Sequence, residues 1–169
     1  MKLYIVENWL HKVDTNTPKD KRSWEIIKNI LGDIQIQKDI TGKPYIPNAS
    51  QYINWSHNEK YLVIALSESG QIGVDVEEST LQYNENLYGW VLSEGEKTEL
   101  AKGRLFAEIW TRKEAIVKCT GEGISEKMCE TNSYEIENLT VTTIFWRSLC
   151  ISVCSCNKEE NLYIEEFLY

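Results

Sequence analysis

Basic charge is scarce in this chain. Eighteen Lys and Arg stand against 26 Asp and Glu, a formal net charge of -8 over 169 residues. Binding a nucleic-acid backbone calls for a strongly basic surface, so nucleic acid is not an expected partner. Histidine is scarcer still, with only His11 and His57. Neither lies near the cysteines Cys150, Cys154 and Cys156, whose spacing is not C-x-x-C, and this argues against a zinc site. The segment around them reads as a strand carrying reduced, buried thiols, as suits a cytoplasmic protein. No run of about 18 apolar residues exists, so no membrane span is expected. The first apolar run breaks at Glu7 and lacks the core of a signal peptide. No internal repeat is visible.

Apolar residues make up 42% of the chain, with six Trp and nine Tyr. That suffices for a core in one domain, or in two small subdomains sharing an interface. Charge is unevenly spread. Residues 1–43 hold 8 basic and 6 acidic groups, and the rest hold 10 basic and 20 acidic. A polyanionic small ligand therefore needs a bound cation or a local basic cluster to offset the acidic field.

Leu3 to Val6 has the character of a short strand. Trp24, Ile27, Ile30 and Leu31 recur at helical spacing over residues 21–31, and Gly32 follows as a stop. Tyr61 to Leu66 is a continuous apolar run of strand length. Ser67 to Gly70 is a turn signal, and Gln71 to Glu77 alternates, so residues 61–77 read as a β-hairpin. The polar stretch 79–89 is the candidate boundary between subdomains 1–78 and 79–169. Ser93-Glu94-Gly95-Glu96 opens a helix in capping-box form. Gly103 interrupts it, and residues 104–119 form a second helix. Strands are expected at 139–145, 147–156 and 161–168. The fold class is α+β.

Ile72-Gly73-Val74-Asp75-Val76-Glu77 carries the chemistry. Alternation puts Ile72, Val74 and Val76 on the core face and Gly73, Asp75 and Glu77 on the other. Two carboxylates about 6.6–6.8 Å apart along a strand can converge on one cation. Gly73 leaves room for a ligand or backbone to approach. A solvated strand face is the alternative. In the helix, Glu114 falls about 110° from the centre of the apolar stripe, at its edge, which suits a group facing a cleft. Lys118 lies one turn on, and an ordinary i,i+4 ion pair between the two is the alternative. Ser56-His57 could bind a phosphate through hydroxyl and imidazole.

Taken in order, Gly42-Lys43-Pro44, Asn54-Trp55-Ser56-His57, Gly73-Val74-Asp75-Val76-Glu77 and Trp110-Thr111-Arg112-Lys113-Glu114-Ala115-Ile116-Val117-Lys118 resemble one family. It is the 4′-phosphopantetheinyl transferases of the surfactin-synthetase-activating type. The resemblance covers residues 42–124. It implies a pseudo-twofold arrangement of two similar α+β subdomains in a monomer, with the active site at their interface. It implies transfer of the phosphopantetheine arm of coenzyme A to a serine of an acyl, peptidyl or polyketide carrier protein. It further implies Mg²⁺ held by Asp75, Glu77 and Glu114, with Glu114 also the candidate base. Lys118 would contact the diphosphate. Lys43, Pro44, Ser56 and His57 would bind the coenzyme, His57 near its 3′-phosphate. Glu96, Lys113 and Arg22 are further candidates, Arg22 with Lys19 and Lys21 for the nucleotide end. The part before Gly42 is short for the two-halved members. That leaves a non-catalytic member binding coenzyme A or a carrier as the alternative.

Overall fold

The structure, a computed structural model, describes residues 1–14, 16–32, 34–157 and 161–167. Its strands are β1 (Lys2–Glu7), β2 (Gln37–Lys38), β3 (Pro44–Tyr45), β4 (Tyr52–His57), β5 (Tyr61–Ser67), β6 (Ile72–Glu78), β7 (Thr140–Trp146), β8 (Leu149–Ser155) and β9 (Tyr163–Phe167). Its helices are α1 (Lys19–Leu31), α2 (Glu85–Tyr88), α3 (Glu94–Ala101) and α4 (Phe106–Thr120). The mixture is α+β, as the sequence implies. Of the strand expected over 161–168, residue 168 lies outside the described residues. So does the side chain of Lys19.

Two sheets stack face to face. The first has the order β4-β5-β1-β9, antiparallel except for the parallel β1–β9 pair. The second is antiparallel with the order β6-β8-β7. Leu3, Ile5, Tyr61, Val63 and Ala65 of the first meet Ile72, Val74, Val76, Leu149, Ile151 and Val153 of the second in one apolar cluster. The outer face of the first sheet, with Tyr4, Val6, Ile53, Leu62, Ile64 and Leu66, is covered by Ile26 and Ile27 of α1. α4 packs on the outer face of the second. The layers therefore run helix, sheet, sheet, helix, each sheet carrying one long helix. A strand covered on both faces must be apolar throughout, which accounts for the unbroken run in β5.

The hairpin expected over residues 61–77 does not form. β5 is hydrogen-bonded to β1 on one side and β4 on the other, so it has no free edge for β6. The turn at 67–70 instead carries the chain to the second layer, where β6 pairs with β8. The sheets thus exchange strands along the chain. β6 precedes residue 79 yet belongs with β7 and β8, and β9 returns from the C-terminal part to pair with β1.

α3 begins with the capping box its sequence specifies. The Ser93 hydroxyl accepts from Glu96 N, and Glu96 accepts from Ser93 N. α4 ends at Gly121, whose φ of 80° is the left-handed conformation that favours glycine. Among the described residues no helix is long and apolar enough to cross a membrane.

Candidate active site

The site forms at a seam. The edge strand β4 of the first sheet meets the edge strand β6 of the second, and α4 crosses above. Asn54 Oδ1 accepts from Val74 N at 3.1 Å, tying the two edges together where no strand ladder exists. The motif Asn54-Trp55-Ser56-His57 contains this residue without indicating the tie. An amide flanked by Ile53 and Trp55 in a strand-like stretch is the local sequence signal for it.

Gly73, Asp75 and Glu77 do share a face, as alternation requires, but that face is not solvated. It lies under α4, and Asp75 is 4% exposed. The close approach allowed by Gly73 is made by the helix itself. A Cβ there would fall well inside contact distance of Ala115 O and Cys119 N. Helix backbone has little freedom to retreat, so Gly73→Ala should destabilise the protein by about 1–3 kcal/mol or more. Chemical denaturation would measure this, and a variant of wild-type stability would show that α4 moves away freely.

Asp75 Oδ1 accepts from Ser56 Oγ at 2.7 Å and from Lys118 Nζ at 2.6 Å. Lys118 also donates to Ser56 Oγ at 3.1 Å, and it stands 3.9 Å from Glu114 Oε2. The i,i+4 pair anticipated on α4 is thus the weaker of two contacts, because Lys118 reaches across the seam to Asp75. Glu114 is buried. Burial and the charge of Asp75 push the carboxyls of Glu77 and of Glu114 up to about 7 from an ordinary 4.5. A hydrogen bond from Trp110 acts on Glu77 in the opposite direction.

Two oxygens here have no partner, although both are buried: Asp75 Oδ2 and Glu114 Oε1. Leaving a buried carboxylate oxygen unsatisfied is costly, so each such atom calls for an explanation. Hard oxygen donors that lack a hydrogen-bond donor suit a hard divalent cation. The donor set therefore fits such an ion. Among the described residues, however, no three acidic or other ligating side chains are already closed around one point. The Lys118 ammonium holds the positive charge between the carboxylates.

A cavity of about 340 Å³ opens beside this cluster, lined by Lys38, Lys43, Pro44, Trp55, Glu114 and Lys118 among others. Lys43 is positioned by a turn between β2 and β3. Asp39 Oδ1 accepts from Thr41 N, Thr41 Oγ1 and Lys43 N, and Gly42 takes a φ of 86°. The Lys43 ammonium donates to Cys119 O at the end of α4. Burial lowers its pKa from the ordinary value.

Strand alternation separates Ser56 from His57, so the two cannot grip one phosphate jointly. Ser56 turns to Asp75, while His57 packs on Trp9 with ring centroids 4.6 Å apart, on the α1 side that Trp55 shares. Arg22 donates to Thr17 O and Leu10 O, anchoring the loop before α1. Glu96 and Lys113 are brought together elsewhere, in the interior, at 2.8 Å. Glu96 is fully buried beneath its own capping box.

An edge-to-edge seam thus brings three acidic groups, two lysines and an adjoining cavity together on a two-sheet α+β scaffold. The 4′-phosphopantetheinyl transferase superfamily model matches residues 71–167, more than half of the chain, and the chain belongs to that superfamily. Among curated relatives, 4′-phosphopantetheinyl transferase gsp of Aneurinibacillus migulanus is 26% identical over 142 residues, covering 79% of this chain and 53% of the relative. 4′-Phosphopantetheinyl transferase AcpT of Escherichia coli K12 is 31% identical over 122 residues, 68% of this chain and 62% of the relative. The putative 4′-phosphopantetheinyl transferase slr0495 of Synechocystis is 34% identical over 104 residues, 50% of this chain and 38% of the relative. The matched part thus spans about half to three-fifths of gsp and AcpT.

Proposed function

We propose that this chain transfers the 4′-phosphopantetheine arm of coenzyme A to a serine hydroxyl of an apo carrier protein, releasing 3′,5′-adenosine diphosphate. The observation that carries this reading is the pair of orphaned buried oxygens, Asp75 Oδ2 and Glu114 Oε1, beside Lys118 and the adjoining cavity. Asp75, Glu77 and Glu114 would hold Mg²⁺. Bound there, the ion would neutralise the diphosphate as a Lewis acid.

The residues of the chain supply the rest. Lys118 and Lys43 present ammonium groups to the diphosphate, where negative charge builds as the phosphorus–oxygen bond breaks. Lys118 must release Asp75 to do so, and its partial exposure allows the swing. The serine must lose a proton as its oxygen attacks the phosphorus bearing the arm. Glu114 is the candidate acceptor, with a pKa near neutrality as a base working at pH 7 requires. Trp55 joins the cavity to Trp24 at a ring distance of 5.2 Å. Lys21, Lys28 and Lys38 surround Trp24 in a second, open cavity. The nucleotide end is assigned to this basic, aromatic stretch, with His57 further along the same face of β4 as the candidate for the 3′-phosphate. The protein acts in the cytoplasm as a monomer.

The test is incubation with coenzyme A, Mg²⁺ and a panel of apo carrier proteins, read by intact mass. The pantetheine mass on one carrier is the expected result. Coenzyme A binding by calorimetry, with no carrier modified by well-folded protein, would instead make this a binding member of the superfamily.

Metal binding should also depend on pH in a defined direction. Folded, metal-free protein holds protons on Glu77 and Glu114 up to about pH 7, whereas the unfolded chain releases them near 4.5. The stability these groups contribute is complete below about pH 4.5 and is lost as pH rises through about 7. A cation competes with those protons and replaces them. Mg²⁺ should therefore raise the melting temperature more at about pH 8 than at about pH 5.5. Equal shifts at both would place the ion elsewhere.

A further inference from the structure

Beyond the transfer site, three thiols gather at the C-terminal turn of α4. Cys119 follows Lys118 directly, and its Sγ donates to Gln71 O at 3.4 Å. That same oxygen accepts from Cys156 N at 3.3 Å, so the Cys119 sulfur and the Cys156 backbone are neighbours on one acceptor. The Cys156 sulfur rests against Gly70, at a spot where even a methyl group would collide with it. Cys154 lies two residues earlier on β8, opposite Gly73 in the ladder, in one apolar cluster with Cys119. Cys119 and Cys154 are buried, whereas Cys156 is exposed.

We propose that Cys156 and Cys119 form a reversible thiol–disulfide couple, oxidised by a small disulfide such as oxidised glutathione. The Cys156 thiolate attacks one sulfur of the small disulfide, forming a mixed disulfide and releasing one small thiolate. The Cys119 thiolate then attacks the Cys156 sulfur, closing the Cys119–Cys156 bond and releasing the second. Two protein thiols are oxidised by two electrons, and one small disulfide is reduced to two thiols.

The division of labour follows from the surroundings. The exposed sulfur meets the oxidant, and the buried one resolves the intermediate. A hydrogen bond from Cys154 and the Lys43 charge together hold the Cys119 thiol below its ordinary pKa, which favours the attacking thiolate. The couple is wired to the transfer site by covalent and hydrogen bonds. Lys118 precedes Cys119, and Lys43 is held by the Cys119 carbonyl. Drawing the Cys119 sulfur toward Cys156 moves the turn that aims both lysines.

The experiment treats the full chain with oxidised glutathione and reads intact mass, peptide map and coenzyme A affinity. A loss of two hydrogens mapped to Cys119–Cys156 and reversed by dithiothreitol is expected, and absent from Cys156→Ser. Coenzyme A should bind about tenfold more weakly to the oxidised form, a typical coupling between linked sites. A mixed disulfide that persists on Cys156, a bridge to Cys154 or to the other exposed thiol Cys129, or the same bridge chemistry in Cys156→Ser would each overturn the couple. Only the affinity arm rests on the transferase reading. If neither form binds coenzyme A, that reading fails while the mapped disulfide stands or falls alone.

Discussion

Asp75→Asn should lower transfer by about three orders of magnitude, the scale of losing one oriented electrostatic group in a site that excludes water. The substitution preserves shape. Asn keeps an oxygen that can accept from Ser56 Oγ and Lys118 Nζ, the two donors now on Oδ1. What changes is the other atom. Oδ2, which lacks any donor in the folded protein, becomes an NH₂ group that repels a cation. The melting temperature of the metal-free variant should therefore stay near that of the wild type, and its rise with Mg²⁺ should vanish. Single-turnover mass spectrometry and thermal melts check the two halves separately. Wild-type turnover by Asp75→Asn would remove Asp75 from the metal site. Glu114→Gln should show a comparable loss, since it removes both a cation ligand and the candidate base.

The largest effect on stability is expected at a pair that does not line the cavity. Lys113→Met should destabilise the protein by about 3–5 kcal/mol, the usual cost of leaving one member of a buried ion pair alone. Lys113 and Glu96 are both almost fully buried and lie 2.8 Å apart. Lys113 also donates to Met128 O and Thr131 O. Glu96 accepts from Ser93 N, Ser93 Oγ and Ser133 N. One carboxylate and one ammonium thus fasten α3, α4 and the segment 128–133 together. Replacing both members by apolar residues would restore only part of the loss, because the Ser93 and Ser133 amides would then lack an acceptor. Urea denaturation should show a lower midpoint with an unchanged slope. A midpoint equal to that of the wild type would mean that the pair contributes nothing.

This pair lies beyond what local sequence patterns specify. The capping box explained Glu96 locally, and the structure contains that box. Its second role depends on Lys113, 17 positions on and in another helix, and no local pattern joins the two. Likewise, the i,i+4 spacing suggested Glu114 as the partner of Lys118. The closer partner is Asp75, 43 positions away, which faces Lys118 only because β6 runs beneath α4.

The hairpin that did not form has the same origin. Residues 61–77 contain two strands and a turn, all legible from composition, but whether adjacent strands pair depends on which edges are free. β1 and β4 had taken both edges of β5. The face assignment on β6 succeeded because alternation is a property of the strand itself. The solvation of that face could not be read, since α4 arrives from another part of the chain.

The sequence by itself determined the α+β class, the capping box that opens α3, the two faces of β6 and the carboxylate–helix motif that resembles the superfamily. These rest on interactions between residues a few positions apart, where spacing and side-chain type suffice. Only the tertiary structure decided that β6 joins the second sheet, that Lys118 bridges the seam, and that Cys119 and Cys156 share a carbonyl. Each of these depends on the packing of separate layers, which no single stretch of sequence encodes.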